Sequence, residues 1–351
     1  MPSLPEVEKY DTENMLASLK GLPEQCRNAI EIAENFQFNC QKQELPNHIL
    51  IAGMGGSAIG ADLVKTVLTE RCSVPILVHR NYTLPDFVTD RTLLLAVSYS
   101  GNTEETLQTV ETGYARGATV IAITSDGRLK KFTDDHHLPC VTIPSGQQPR
   151  ASLGYLFIPL LSILARLGCA PKLDYKSDLN ETIALLTQLA ERFKPEVANS
   201  LPKQLARRMH GKLPIIYAPQ ELEAVAVRWK GQINENSKSL AYCNVYPEMN
   251  HNEIEGWRHP PNLTSQCHVI QLRDAAAHIQ TNRRMDITAE LIQEYTGGIT
   301  HVHSQGRSFL ARLFSLIFIG DWASLYLAIR YEQDPTPVAR IQELKKRLNP
   351  N

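Results

Sequence analysis

Apolar residues gather in short unbroken blocks through two stretches of the chain, and each block gives way to helical spacing. In the first stretch, His48-Ile-Leu-Ile-Ala, Pro75-Ile-Leu-Val, Thr92-Leu-Leu-Leu-Ala-Val, Ala118-Thr-Val-Ile-Ala-Ile and Cys140-Val-Thr-Ile predict strands. Helical segments are predicted over 58–68, 103–115 and 128–132. A strand apolar at consecutive positions is covered on both faces, which indicates a parallel sheet between helices. An apolar helix is predicted over 151–168, followed by a polar helical connection over 176–210. The pattern restarts at Leu213-Pro-Ile-Ile-Tyr-Ala, with a helix from Glu221 to about Gln232 and strands at His268-Val-Ile-Gln-Leu and Thr300-His-Val-His. Further helices are predicted over 287–295 and 309–330. After the turn at Asp334-Pro-Thr-Pro, Pro337 opens a last helix over 338–348. Met15, Leu16, Leu19 and Leu22 give the first 45 residues an amphipathic helical spacing. The pattern predicts two α/β lobes with their boundary within 170–210.

Composition narrows the class. A chain of 351 residues has length for roughly two domains. Its 43% hydrophobic and 21% charged content builds ordinary cores. Lysine and arginine number 36 against 37 acids, a net charge of −1, which argues against a nucleic-acid or polybasic membrane partner. Seven cysteines without a Cys-x-x-Cys pair fit reduced thiols in a cytoplasmic protein. The start, Met1-Pro-Ser-Leu-Pro-Glu-Val-Glu, lacks the basic-then-apolar order of a signal peptide. The longest uncharged apolar stretch, 151–165, contains Pro159 and is shorter than the ~20 residues that span a bilayer.

Two loops carry candidate chemistry. Gly53-Met-Gly-Gly-Ser-Ala-Ile-Gly60 joins a strand to a helix. Glycines there let the backbone approach an anion, and the helix N-terminus directs N–H groups at it. Gly53, Gly55 and Ala58 also match the dinucleotide fingerprint, but the next strand ends Val78-His79-Arg80 without the acid that fingerprint wants. Arg80 would suit a 2′-phosphate, which keeps an NADP-dependent dehydrogenase open, and a tight turn without ligand is the plain alternative. Ser98-Tyr-Ser-Gly-Asn-Thr-Glu-Glu-Thr106 repeats the strand-to-helix junction with the hydroxyls of Ser98, Ser100 and Thr103. Asn102 and Glu105 have the spacing of a capping box, so a well-capped helix is the competing reading. Two such loops at neighbouring strand ends would face one crevice and favour a sugar-phosphate site over a long dinucleotide groove.

These two loops together resemble a sugar isomerase (SIS) domain. The resemblance continues through Pro144-Ser-Gly-Gln-Gln-Pro-Arg-Ala-Ser-Leu-Gly154, Gln232-Ile-Asn-Glu-Asn-Ser-Lys238 and Pro247-Glu-Met-Asn-His-Asn-Glu-Ile-Glu-Gly-Trp257. It ends with Asp334-Pro-Thr-Pro-Val and Leu344-Lys-Lys-Arg-Leu348. In this order, over about residues 45–350, the segments are similar to those of the bifunctional phosphoglucose/phosphomannose isomerase family. The resemblance implies two doubly wound SIS-type lobes with parallel sheets, plus N-terminal and C-terminal helices. The corresponding boundaries are an N-terminal helical segment 1–45, a phosphate-binding SIS domain 46–170, a helical linker 171–211, a second SIS domain 212–333 and a C-terminal helix 334–351.

The family's activity would be interconversion of glucose 6-phosphate and mannose 6-phosphate with fructose 6-phosphate through a cis-enediolate. Gly56, Ser57, Ser98, Ser100 and Thr103 would hold the phosphate. Glu235 would be the general base, although by sequence alone it is a helix-end acid near Lys238. His251 would open the pyranose ring, in a homodimer in which it can be contributed across the interface. Arg150 would stabilise the enediolate; its plain alternative is a surface salt bridge. Lys345, or Lys346 one position on, would contact sugar oxygens. An amidohexose-phosphate isomerase or deaminase and a non-catalytic sugar-phosphate sensor are the alternatives. No cofactor is implied. The clusters His136-His137 and His301-x-His303 lack the partners of a zinc site, and no metal is expected.

Overall fold

The computed structural model describes residues 2–38, 45–171 and 173–348. Met1, residues 39–44, Lys172 and residues 349–351, parts of the expected N-terminal, linker and C-terminal helical segments, lie outside the described residues. The chain divides into two compact units, Gly21–Ala184 and Met1–Lys20 with Leu185–Asn351.

Among its described residues the Gly21–Ala184 unit has five parallel strands: β1 (His48–Ala52), β2 (Ile76–His79), β3 (Thr92–Ser98), β4 (Thr119–Thr124) and β5 (Cys140–Thr142). Their order is β2-β1-β3-β4-β5. Leu50, Ala52, Leu94, Ala96, Val120 and Ala122 pack into one core cluster. The alternate residues Ile49, Ile51, Leu93, Leu95 and Ile121 are buried as well. Both faces are therefore covered, as the unbroken apolar blocks require. Chain direction across the sheet reverses between β1 and β3, so the loops after these two strands flank the switch point where open α/β sheets bind ligands.

The helix predicted from residue 58 begins earlier, at Gly55, and runs to Leu68. Its first turn is made of the glycines that read as loop in sequence. The apolar helix is Leu153–Arg166, with Pro159 inside it.

The second unit has a four-stranded parallel sheet among its described residues: β6 (Leu213–Pro219), β7 (Tyr242–Tyr246), β8 (Cys267–Arg273) and β9 (Ile299–His303), in the order β7-β6-β8-β9. Strand β7 was not expected from the sequence. It is an edge strand whose Tyr242, Cys243 and Asn244 are incompletely buried, so Tyr-Cys-Asn-Val-Tyr shows no apolar run. The helix expected over 287–295 is Ile279–Ile292. Its Ile279, Ile287 and Leu291 are exposed, so apolar spacing was a poor guide to its limits. The helix expected to stop near Gln232 continues over Glu223–Ser237. The polar connection forms Tyr175–Phe193 and Leu201–Met209, and the last helix is Ala339–Leu348. Phe309–Arg330 has the length and composition to cross a membrane, but 94% of its most apolar window is buried inside the protein.

The start of β8 carries a buried histidine. His268 Nε2 lies 2.9 Å from Thr300 Oγ1, which also accepts a 2.7 Å hydrogen bond from Arg208. Burial, assisted by Lys212 and Arg208, pushes the His268 pKa down to about 4 from 6.5. A group whose folded pKa is lowered in this way takes up a proton more readily in the unfolded chain. Stability is therefore expected to hold above pH 6.5 and to fall between 6.5 and about 4, by on the order of 3 kcal/mol from this group. Urea midpoints across that range should show the loss, and His268→Asn should flatten it.

Candidate active site

The Gly21–Ala184 unit brings together all the candidate phosphate residues and Arg150. Ser57 is buried in the first turn of the Gly55–Leu68 helix, and its Oγ accepts a 3.1 Å hydrogen bond from Tyr99 N–H, joining the loop after β1 to the loop after β3. Ser98, at the end of β3, is buried and donates to Thr103 Oγ1 over 3.0 Å. Ser100 is exposed, Thr103 is half-buried and Gly56 is half-buried. A helix start leaves its leading N–H groups without intrahelical acceptors and adds the positive end of the dipole. Two helices begin here, at Gly55 and Glu104, with hydroxyls beside them.

The capping-box reading of Asn102 and Glu105 is corrected by the geometry. Thr103 occupies the N-cap position of the Glu104–Ala115 helix. Asn102 instead bridges two loops: its Nδ2 donates to Ser100 O over 3.0 Å, and its Oδ1 accepts from Arg128 N–H over 3.1 Å. Gly101 has φ +67°, and a Cβ there would lie 1.7 Å from Asp126 O. Only glycine permits that crossing of the loops after β3 and β4.

Arg150 is no surface residue. It is 4% exposed, within the short 3-10 turn Pro149–Ala151. That turn lies against the first glycine loop: a Cβ on Gly56 would stand 2.7 Å from Pro149 C and 2.9 Å from Arg150 N. Behind it, Gln25 Nε2 donates to Ala151 O and to Gln147 Oε1, each at 2.9 Å, and Gln25 Oε1 accepts from Gly154 N–H at 2.6 Å. Gln147 N–H donates to Tyr99 OH over 2.9 Å. Sequence reasoning missed Gln25, Gln147 and Tyr99 as supports of this turn. No local signal marks Gln25, which acts across more than a hundred residues. Arg80, considered for a 2′-phosphate, forms an ion pair with Asp62.

The second unit holds Glu235, His251 and Lys345. Glu235 is half-buried near the end of the Glu223–Ser237 helix. That helix is fastened to Phe309–Arg330 by a buried polar ladder. Arg228 meets Asp321 in a two-pronged pair at 3.0 and 2.7 Å, with side chains 4% and 2% exposed. Gln232 Nε2 donates to Asp321 Oδ1 at 2.9 Å, Asn236 Nδ2 to Ser324 Oγ at 2.9 Å and Ser237 Oγ to Ser324 O at 2.8 Å. Residues 228, 232 and 236 recur at the spacing of one helix face, so the ladder fixes the rotation that presents Glu235.

Lys238 closes the helix in the left-handed region at φ +53°, with Nζ donating to the carbonyls of Glu235 at 2.8 Å and Pro335 at 3.0 Å. His251 is exposed on the 3-10 turn Glu248–His251. Lys345 and Lys346 are both exposed on the Ala339–Leu348 helix, none of whose residues is buried. His301 and His303 are both exposed, on one side of β9.

Comparison with known proteins fits this geometry. A SIS-domain family model matches residues 45–144, and a model described as the bacterial phospho-glucose isomerase C-terminal SIS domain matches residues 198–348. The chain is similar to a bifunctional phosphoglucose/phosphomannose isomerase of Caldicellulosiruptor bescii, with 46% identity over 95% of this chain and 98% of the relative. It is 36% identical to one from Aquifex aeolicus over 86% of this chain and 90% of that protein. Among solved structures, a hypothetical protein from Thermus thermophilus shares the fold at a TM-score of 0.72 and 16% identity, covering 98% of this chain and 92% of its own.

The contact at Gly56 yields a test. Gly56→Ala forces a Cβ into the Pro149–Arg150 backbone and is expected to cost about 1–3 kcal/mol as overpacking. Gly231, inside the Glu223–Ser237 helix, has nothing within 4 Å of its would-be Cβ. Gly231→Ala should therefore stabilise by about 0.5–1 kcal/mol. Urea denaturation of both variants checks the opposite signs.

Proposed function

The chain belongs to the bifunctional phosphoglucose/phosphomannose isomerase family, and we propose that it interconverts glucose 6-phosphate and mannose 6-phosphate with fructose 6-phosphate. The observation that carries this reading is the meeting of two helix starts, their hydroxyls and a buried arginine turn at the switch point of the first sheet. Such a cradle suits a phosphate monoester, with Arg150 supplying a fixed guanidinium.

In this reading the 46–170 domain binds the phosphate through Ser100, Thr103 and the amides near Gly56. Ser57 and Ser98, whose hydroxyls face Tyr99 N–H and Thr103, hold the loops in shape and complete the cradle. His251 moves a proton between ring oxygen and hydroxyl to open the pyranose, a task that suits an imidazole because its two ring nitrogens can accept and donate a proton. Glu235 removes a proton from one of C1 and C2 and returns it to the other. The negative charge that develops on the enediolate oxygens is met by Arg150. Lys345 contacts sugar oxygens. Glucose and mannose phosphates differ only at C2 and collapse to the same cis-enediolate, so one base serves both once the open chain turns its other face. The enzyme works as a cytoplasmic homodimer, with His251 contributed across the subunit contact.

Coupled assays on the three hexose 6-phosphates are expected to show turnover of each, undiminished by a chelator. Folded protein that leaves glucose 6-phosphate untouched would sink the proposal. Within the site, Glu235→Gln should reduce isomerisation of both epimers by about 10²–10⁴-fold while sugar-phosphate binding persists. Ser100→Ala should chiefly raise KM, because its contact is made equally in ground and transition states. Normal turnover by Glu235→Gln would remove that residue from the mechanism.

A further inference from the structure

The chain between β7 and β8 that carries His251 has no sheet or long helix to hold it. It is two consecutive 3-10 turns, Glu248–His251 and Glu253–Arg258, followed by the four-residue helix Pro261–Thr264. What fastens it is a carboxylate two residues beyond the histidine. Glu253 accepts hydrogen bonds from Tyr217 OH on β6 and from Tyr242 OH and Asn244 Nδ2 on β7, the Tyr242 bond measuring 2.9 Å. Its own N–H donates to Asn252 Oδ1 over 2.6 Å. Trp257 Nε1 donates to Tyr217 OH over 3.1 Å, so the Tyr217 hydroxyl accepts from one residue of the segment and donates to another.

The remaining anchors lie just before the histidine. Met249 is fully buried in the same core cluster as Tyr217, Tyr246 and Trp257. Asn250 Nδ2 donates to Thr288 Oγ1 over 2.8 Å. His251 is thus an exposed residue between the buried Met249 and the half-buried Glu253.

The chemistry at Glu253 is selective. Three donors from two strands converge on one side chain, and an ionised carboxylate is the side chain that only accepts. A glutamine would turn an NH₂ group toward one of those donors. Burial and the Glu253 charge also push the Tyr242 pKa up to about 12, and the Tyr217 pKa further up, so both hydroxyls stay protonated as donors.

We propose that Glu253 is a positioning residue for His251, pinning the histidine turns to β6 and β7 through Tyr217, Tyr242 and Asn244. The proposal rests on the reading of His251 as the ring-opening group. Glu253 itself touches no reacting atom in this scheme; it acts through the histidine alone.

A double-mutant cycle with a second readout tests it. Glu253→Gln should lower kcat on cyclic glucose 6-phosphate about ten- to hundred-fold, the cost of misplacing a catalytic group by about an ångström, with KM little changed. Solvent-deuterium exchange into an open-chain sugar-phosphate analogue should stay within about threefold of the parent, because it bypasses ring opening. In a His251→Ala background, Glu253→Gln should add less than about twofold, since coupled residues are non-additive. The His251 ring resonances, followed by ¹H–¹³C NMR, should move in Glu253→Gln. Should that variant fail to fold, Tyr242→Phe combined with Asn244→Ala withdraws two of the three donors, keeps the carboxylate and should shift both readouts in the same direction.

An equal penalty from Glu253→Gln with and without His251, or unmoved His251 resonances, overturns the positioning role. Moved resonances together with parental cyclic turnover by His251→Ala would instead reject the ring-opening reading and leave the anchoring intact. Association state is measured on every variant, so that a lost subunit contact is not mistaken for either result.

Discussion

The backbone of Gly56 lies so close to that of Pro149 and Arg150 that no side-chain carbon fits between them. The packing of the loop after β1 against the turn that carries Arg150 depends on this contact. It places a helix N-terminus beside a buried guanidinium turn without an intervening side chain. The same economy recurs where Gly101 crosses Asp126. Close backbone approach sets the N–H groups of a helix start beside the hydroxyl-bearing loop after β3 and the turn that carries Arg150. The supports behind it, Gln25 and Tyr99, hydrogen-bond the main chain of Gln147, Ala151 and Gly154, and Gln25 also holds the Gln147 side chain. They spend their polarity on holding shape.

The second unit uses a related parallel arrangement for a different end. At its switch point, between β6 and β8, stand the 3-10 turn Gln220–Leu222 and Asp274 in place of glycines and hydroxyls. Asp274 is buried and accepts from Arg312 Nε at 3.0 Å, Ser304 Oγ at 3.2 Å and Ala276 N–H at 3.0 Å. A saturated carboxylate there is a poor host for a phosphate. This unit instead carries Glu235 and His251 on elements fixed by internal polar contacts.

The contact between Arg228 and Asp321 shows why such polarity is kept in a core. A buried ion pair gains little net stability over a well-packed apolar contact, yet loss of one partner costs about 3–5 kcal/mol. Its value here is geometric. Apolar faces of two long helices can slide by a turn or rotate with small loss, whereas a two-pronged arginine–carboxylate pair at 3.0 and 2.7 Å accepts one register. Together with Gln232, Asn236 and Ser237, that register decides where Glu235 points.

Legible in the sequence were the strands of both sheets apart from β7, the long Phe309–Arg330 helix and the two glycine- and hydroxyl-bearing loops between strand and helix. These follow from periodicity and from glycine and hydroxyl placement, which are local and survive reading one residue at a time. Family resemblance added Glu235 and His251, which spacing alone left among many acids and histidines. Tertiary structure alone decided the rest. Edge strand β7 has no apolar run to betray it, because only part of it is covered. Whether Arg150 is buried or forms a surface salt bridge is settled by the packing of its turn on Gly56. The anchoring of the histidine segment by Glu253 needs Tyr217 and Tyr242 on two adjacent strands. In each case the deciding partner is distant in sequence or belongs to another element, and a linear pattern records what a residue is without recording what folding brings against it.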